Sequence, residues 1–343
     1  MTDILERCRD TLRRLGEAGI FEVLLTPGEP AAALGPATGL RHERRPDFVP
    51  TPDEIAALRE AASARPDLND GLHRWRITTT AAYGGAAAVA LRKIGIAPSL
   101  DEYGPAGAAL RAVARREPSP PITPTDLETL EFGLFAITGP VGAGKTGLLC
   151  ALLHETAETG NPVLYVDPAV EYDLARRTAG PIVWERTDLL ATPPERLTAF
   201  RLWGLRDVFI GEVASPEEIR RAVELAAAGF RVWTTLHAAT PGAAFLRCLR
   251  ADPGAEGVLR IIAAVRLLPH ARDARRVVPI CGAYFAAEVD FTTTTIRTPA
   301  GARLSVPLET SLAEAVARGD VRPEDAGERN VLYHDIRDVV PSP

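Results

Sequence analysis

Residues 134–150 read LFAITGPVGAGKTGLLC, an apolar run followed by a glycine-rich loop and then by residues that favour a helix. Within this stretch, residues 139–146 (GPVGAGKT) fit the P-loop pattern G-x-x-x-x-G-K-S/T. A P-loop needs a strand before it and a helix after it, and the flanking residues supply both patterns. The sequence therefore predicts a phosphate-binding unit of strand, loop and helix.

Each residue type in this loop has a physical role. The glycines at positions 139, 142 and 144 let the backbone turn tightly, so that its N–H groups converge on phosphate oxygens at a helix N-terminus. We expect the Lys145 ammonium to reach the β- and γ-phosphates and the Thr146 hydroxyl to bind Mg²⁺. The candidate nucleotide-binding residues are Gly139, Pro140, Val141, Gly142, Ala143, Gly144, Lys145 and Thr146.

The alternative for this stretch is a glycine-rich turn that binds no ligand. The use of lysine argues against it, because Lys145 is one of only two lysines in a chain that otherwise uses arginine. A compact point charge therefore stands at the one position where a P-loop requires it.

Composition indicates a globular cytoplasmic protein. With 343 residues, 46% of them hydrophobic and 24% charged, the chain is long enough for two domains of roughly 150 residues each. The net charge of -6 gives no general attraction to nucleic acid, which is not expected as a partner. The four cysteines are scattered without a C-x-x-C pair, so neither zinc nor a disulfide framework is expected. We find no signal peptide and no apolar run long enough to span a membrane.

The first hundred residues predict a small α+β domain. Residues 51–64 (TPDEIAALREAASA) begin with residues that cap helices. Residues 76–83 and 86–94 flank Gly84-Gly85, which is typical of a β-hairpin. The predicted regions are an α+β domain at 1–100, a P-loop ATPase domain at 101–290, and a hairpin with closing helices at 291–343.

Strand and helix patterns alternate beyond the P-loop. The predicted strands are residues 163–166, 182–184, 208–210 and 231–236. Residues 215–218 (SPEE) form a capping box with proline at the first helical position. This alternation predicts an α/β core with a mostly parallel sheet.

The carboxyl ends of these strands carry the remaining candidate chemistry, since ligands of open α/β sheets bind there. Asp167 and Glu171 follow one strand, and either carboxylate could orient or deprotonate the attacking water. Glu212 follows another strand and could hold Mg²⁺, while His237 ends a third and could sense phosphate. The alternatives are a turn with an acidic helix start, a solvated loop glutamate, and a core histidine with its hydrogen bonds satisfied.

In their order, these motifs resemble those of the hexameric secretion and type IV pilus ATPases, and within them the pilus retraction (PilT-like) branch. GPVGAGKT is similar to the family's Walker A motif, VDPAVEY to its aspartate box, FIGEV to its Walker B motif and TTLHAATPGAA to its histidine box. The resemblance implies a RecA-like P-loop core with a small α+β N-terminal domain and a short C-terminal helical region.

The resemblance also implies partners and further site residues. It implies a homo-hexamer that binds ATP and Mg²⁺ and acts on an inner-membrane pilus or secretion platform protein, through which a cytoplasmic protein is held peripherally at that membrane. Arg92, Arg201 and Arg206 match arginines that reach the nucleotide from neighbouring surfaces, although each could instead form a surface salt bridge. The expected catalytic residues are Asp167, Glu171, Glu212, His237, Arg92, Arg201 and Arg206, with Thr146 and Glu212 as Mg²⁺ ligands.

Three features depart from the family pattern. Val166 stands where the family has glutamate before Asp-Pro, and an extra residue displaces Glu171, so both carboxylates remain candidates for the base. Residues 286–307 read as a hairpin where retraction motors carry an Ala-Ile-Arg type motif. The cysteine-ligated zinc module of many assembly and type II secretion ATPases is absent from the sequence.

Four functions therefore stay open. The sequence favours an ATP-hydrolysing hexameric motor for type IV pilus dynamics. A conjugation- or secretion-type ATPase is the alternative within the same class, and a nucleotide-binding regulatory ring with little turnover comes from another class. A small-molecule kinase is disfavoured by the long N-terminal region and the histidine box.

Overall fold

A computed structural model divides the chain into two compact units. The first unit contains Met1–Ile96, Val170–Asp173 and Pro269–Val277, and the second contains Ala97–Ala169, Leu174–Leu268 and Val278–Pro343. The residues that the structure describes are 2–35, 43–64, 67–81, 86–120, 122–168, 171–174, 180–185, 189–191, 199, 202, 204–273, 276–290, 295–296, 304–326 and 337–338. The predicted division into regions 1–100, 101–290 and 291–343 stays a prediction.

The first unit is an antiparallel sheet with two helices. Its helices are α1 (Thr2–Glu17) and α2 (Pro52–Ala64). Its strands are β1 (Glu22–Leu25), β2 (Ala31–Leu34), β3 (Glu43–Arg45), β4 (Asp67–Asn69), β5 (Arg74–Ala81) and β6 (Ala87–Ile94). They are ordered β3-β2-β1-β6-β5-β4. This arrangement matches the predicted α+β domain.

Helical spacing of apolar residues explains how α1 packs on this sheet. Cys8, Leu12 and Leu15 recur three or four positions apart and are buried in one cluster with Trp75 of β5. Strands β5 and β6 pair antiparallel from Arg74–Ile94 to Ala81–Ala87, as the hairpin pattern predicts. The predicted Gly84-Gly85 turn lies outside the described residues.

The second unit contains the remaining elements. Its helices are α3 (Gly104–Arg115), α4 (Pro124–Thr129), α5 (Lys145–Ala157), α6 (Pro216–Ala227), α7 (Pro241–Ala251), α8 (Ala255–Val258) and α9 (Leu308–Ala317), with 3₁₀ turns at Leu100–Tyr103 and Leu189–Ala191. The strands are β7 (Gly133–Gly139), β8 (Val163–Val166), β9 (Ile182–Glu185), β10 (Asp207–Ile210), β11 (Arg231–His237), β12 (Leu259–Pro269), β13 (Val277–Phe285), β14 (Val289–Asp290), β15 (Thr295–Ile296) and β16 (Arg337–Asp338).

A seven-stranded sheet organises the second unit. Its order is β13-β12-β7-β11-β10-β8-β9, and the pairs from β12 to β9 are parallel. Side chains of β7 alternate between two cores: Leu134 and Ala136 pack with α6 and α7, whereas Phe135 and Ile137 pack with α3 and α5. Burial on both faces explains the continuous apolar run in the sequence. The predicted P-loop α/β core with a mostly parallel sheet is confirmed.

A buried ion cluster lies at the end of this sheet opposite to the P-loop. Asp207 begins β10; its Oδ2 accepts from Arg116 at 2.9 Å, and its Oδ1 lies 3.3 Å from Nη1 of Arg231 of β11 as an ion pair without a hydrogen bond. Arg231 is fully buried, and its guanidinium lies over the rings of Phe135 and Trp233. The two cations on one carboxylate fix where these strands start and contribute no group to the P-loop end.

The last part of the second unit is small. Strands β14 and β15 pair antiparallel, in agreement with the predicted hairpin, and β16 lies beside β15. Helix α9 is followed by turns through residue 326. Across the described ranges, no helix combines the length and the apolar character that crossing a bilayer requires.

Candidate nucleotide-binding site

The P-loop joins the end of β7 to the start of α5. Gly142 and Gly144 have φ angles of 76° and 89°, a left-handed region that favours glycine. A Cβ atom at Gly139 would lie 2.7 Å from the Val265 carbonyl oxygen, so that β12 leaves no room for a side chain. These glycines shape a loop that turns backbone N–H groups toward the N-terminus of α5, where anions bind.

Lys145 lies at the centre of the site. The residue is 7% exposed, and its ammonium donates to the carbonyl oxygens of Gly139 at 3.1 Å and Pro140 at 3.0 Å. The same ammonium lies 3.0 Å from Nδ1 of His237. The P-loop lysine is therefore held by its own loop and by the end of β11.

His237 links this lysine to Glu212. Its Nε2 lies 3.0 Å from Oε1 of Glu212, while its Nδ1 faces the Lys145 ammonium. An ammonium can only donate, so Nδ1 accepts and Nε2 carries the proton that is donated to Glu212. Burial and the charges of Lys145 and Arg247 lower the pKa of His237, against an opposing effect of Glu212. The ring is therefore neutral, with one accepting and one donating nitrogen.

The sheet order explains why these residues meet. Strands β7, β11 and β10 are neighbours, and Gly139 lies directly opposite His237 in the register. Glu212 follows β10 by two residues. Parallel strands end at one edge of the sheet, so three segments that are far apart in sequence place their side chains around the P-loop.

Asp167, which follows β8, lies against the residue before Glu212. Its Oδ2 accepts from the Tyr165 hydroxyl at 2.7 Å. A Cβ atom built on Gly211 would lie 1.9 Å from the same oxygen. The absence of a side chain at Gly211 is thus what allows Asp167 to approach the Glu212 loop. Sequence reasoning did not select Gly211, although a glycine between a buried strand and Glu212 in FIGEV was a signal for close approach.

We expect Gly211→Ala to destabilise the second unit and to lower any activity of the site. The new methyl group must displace the Asp167 carboxylate, and such overpacking costs about 1–3 kcal/mol. Gly257→Ala is the matched control, because no atom lies within 4 Å of a Cβ at that position. Thermal melting of both variants checks this; equal melting temperatures would show that Asp167 does not need the space above Gly211.

Glu171 and Arg92 belong to the first unit and pair with each other. Arg92 Nη1 donates to Glu171 Oε1 at 2.6 Å, and Arg76 Nη2 lies 3.9 Å from the same oxygen. The Glu171 side chain is 18% exposed, and its carbonyl oxygen accepts from the Gly95 amide at 3.0 Å. Glu171 therefore extends the end of β6, whereas Asp167 belongs to the second unit.

The other two predicted arginines are Arg201 and Arg206. Arg201 lies outside the described residues. The Arg206 side chain is 69% exposed and lies 3.9 Å from a Glu131 oxygen, which is a weak surface contact. Their action on a nucleotide from a neighbouring surface stays a prediction.

The P-loop edge fits a nucleotide with Mg²⁺. Thr146 is half-buried in the first turn of α5, and the Glu212 side chain is 44% exposed. Throughout the described ranges, no three histidine, cysteine or acidic side chains gather into a metal site. Nucleotide-bound Mg²⁺ takes only one or two protein oxygens and fills its shell with phosphates and water. Thr146 and Glu212 are suited to be those ligands.

The fold is similar to solved structures over nearly the whole chain. The ATPase DotB of Legionella pneumophila gives a TM-score of 0.65 at 18% identity, covering 92% of each chain. DotB of Yersinia pseudotuberculosis gives 0.62 at 15% identity, covering 93% of this chain and 91% of that one. The pilus retraction motor PilT with bound ADP gives 0.62 at 19% identity, covering 93% and 96%. This chain has the fold of the DotB and PilT ATPases.

Two curated proteins are similar in sequence to less than half of this chain. A type II secretion system protein E of Escherichia coli (strain K12) is 31% identical over 159 residues, which are 46% of this chain and 31% of that protein. The type II secretion system protein E of Aeromonas hydrophila is 30% identical over 151 residues, 44% of this chain and 29% of that protein. The chain thus spans about a third of the length of these curated relatives. No protein-family model matches it.

The predicted resemblance to the type II/IV secretion and type IV pilus ATPase superfamily is confirmed. The narrower prediction, that the chain belongs to the retraction branch, stays a prediction. The DotB and PilT structures match this chain with similar TM-scores, so they do not distinguish the branches.

Proposed function

We propose that this protein is an Mg²⁺-dependent ATPase that assembles as a hexameric ring and powers type IV pilus dynamics at a membrane platform. The observation that carries the proposal is the line of Lys145, His237 and Glu212 at the P-loop edge of a sheet with the secretion and pilus ATPase fold. The neutral imidazole lies 3.0 Å from both the lysine and the carboxylate, which provides a cation, a proton carrier and a metal ligand for phosphoryl chemistry.

The candidate site residues have separate roles in this proposal. The P-loop amides and Lys145 bind the β- and γ-phosphates, and Thr146 and Glu212 hold Mg²⁺, which would neutralise charge that develops on the phosphates. His237 reports on phosphate, because a phosphate oxygen that draws the Lys145 ammonium away frees Nδ1. Glu171 is the proposed base for the attacking water, with Asp167 as its alternative.

The ring is proposed from the arginines and from the fold. An arginine supplied to a neighbouring active site is worth on the order of 10³ to 10⁵ in rate. Arg92, Arg201 and Arg206 are the candidates, so we expect hydrolysis to depend on assembly. The proposed partner is a pilus or secretion platform protein of the inner membrane, with the ATPase on its cytoplasmic side.

A conjugation- or secretion-type motor is the second candidate. The names of the matching sequences favour it, since both contain the words "type II secretion system protein E". The two motors differ in what fails when Lys145 is replaced in the cell. Loss of pilus-driven movement with normal protein export supports the pilus motor, and the reverse supports the secretion motor.

The test of the proposed function is ATP turnover measured against protein concentration, with particle mass measured in parallel. We expect turnover per subunit to rise as a hexamer appears and to vanish when Mg²⁺ is chelated. Binding of ATP without turnover at any concentration would instead support a regulatory ring. Transfer of phosphate to an added acceptor by a monomer would support a kinase.

A further inference from the structure

Arg247 of α7 contacts both segments that carry the central side chains of the site. Its Nη1 donates to the carbonyl oxygen of His237 at 2.6 Å. Its Nη2 donates to the carbonyl oxygen of Ala214, two residues after Glu212. One half-buried guanidinium therefore binds the main chain on both sides of the His237–Glu212 hydrogen bond.

The need for this contact follows from where the sheet ends. Two bonds tie the main chain on either side of Glu212 to β11: the Val213 amide donates to the Thr235 carbonyl at 3.0 Å, and the Thr235 hydroxyl donates to the Gly211 carbonyl at 2.6 Å. Past Val213 and Thr235, the Arg247 guanidinium joins the main chain of Ala214 to that of His237. The forked guanidinium suits two carbonyl oxygens better than an ammonium does.

Helix α7 provides a fixed base for Arg247. The helix begins at Pro241, and the Thr240 hydroxyl caps it by accepting from the Ala243 amide at 3.1 Å. Phe245 and Cys248 on the same helix are buried in the core of the second unit. The guanidinium is thus held by packed structure, and not by the loops that it binds.

We propose that Arg247 is a positioning residue that fixes the distance between His237 and Glu212. This inference rests on the proposed ATPase function of the same site. The two hydrogen bonds of Arg247 described above go to main-chain oxygens of His237 and Ala214. Its replacement therefore takes neither of these bonds from the P-loop amides or from Lys145. Its loss should therefore impair the chemical step while nucleotide binding persists, because displacement of a catalytic group by about 1 Å costs on the order of 10²-fold in rate.

The test compares Arg247→Ala with Arg250→Ala, an exposed arginine on the same helix. We expect kcat to fall about tenfold to a hundredfold in Arg247→Ala, with the Kd for ADP unchanged. Arg250→Ala should match the wild type in both. Amide hydrogen exchange should accelerate in peptides covering residues 211–215 and 237–240 of Arg247→Ala, while peptides of α1 and α5 keep their wild-type protection.

Two further measurements separate positioning from general damage. Arg247→Lys should retain part of the rate, because an ammonium can still donate to one of the two carbonyls. Guanidinium chloride at millimolar concentration should restore part of the Arg247→Ala rate, and sodium chloride should not. Wild-type kcat in Arg247→Ala, or faster exchange throughout the chain, would overturn the inference. A wild-type protein without turnover would instead refute the proposed function.

Discussion

Lys145→Ala should lower ATP turnover by at least about a hundredfold, the scale of losing one preorganised donor to developing charge. The reason is that this ammonium is the P-loop cation, and it lies within 3.1 Å of two loop carbonyl oxygens and of His237. Its removal takes the donor from all three groups and the positive charge from the phosphate site. Phosphate release and calorimetric binding of ADP measure the two effects separately.

Thermal melting is the control that shows whether Lys145→Ala is still folded. Loss of buried hydrogen bonds costs about 1–3 kcal/mol for each unsatisfied group, so the melting temperature should fall while the cooperative transition remains. A variant that melts cooperatively and still hydrolyses ATP at the wild-type rate would show that the reaction does not take place at the P-loop.

Glu171→Gln should lower ATP turnover by about 10²- to 10⁴-fold and should leave nucleotide binding unchanged. Glutamine can still accept the hydrogen bond from Arg92, so the end of β6 should keep its structure, whereas an amide cannot take a proton from water. Single-turnover phosphate release at saturating ATP measures the chemical step, and titration with a non-hydrolysable analogue measures binding.

Exchange of the two charges decides whether Glu171 is a base or only a partner of Arg92. Arg92→Glu and Glu171→Arg each place like charges together and should both be inactive. The double variant re-forms an ion pair with reversed polarity, and we expect it to stay inactive because it lacks both the proposed base and the proposed Arg92 guanidinium. Recovery of turnover in the double variant would assign Glu171 to the ion pair, and loss of turnover in Asp167→Asn would then make Asp167 the base.

Local chemistry made most of the fold predictable from the sequence. The apolar run at 134–137 and the glycines of the P-loop define β7 and the start of α5. The Ser215 capping box defines the start of α6, because the Ser215 hydroxyl accepts from the Glu218 amide at 3.2 Å. These signals lie within a few residues of the structure that they specify. They are therefore readable without knowledge of which strands are neighbours.

The pairings within the site could not be predicted in this way. Lys145 and His237 are separated by 92 residues, and they meet because β7 and β11 are adjacent with Gly139 opposite His237. Sequence spacing carries neither strand order nor register. For the same reason, the closeness of Asp167 to Gly211 was missed, and so was the contact of Arg247 with two separate loops.

The composition of the first unit has a consequence for biosynthesis. That unit is completed by Val170–Asp173 and Pro269–Val277, so the ribosome delivers its last parts after most of the second unit. All six strands of its own sheet are nevertheless made by residue 94, so that sheet can form while the second unit is still being synthesised. The seven-stranded sheet of the second unit, by contrast, keeps β7 as an unpaired edge until β12 (Leu259–Pro269) has emerged, and such edges are what chaperones shield from aggregation.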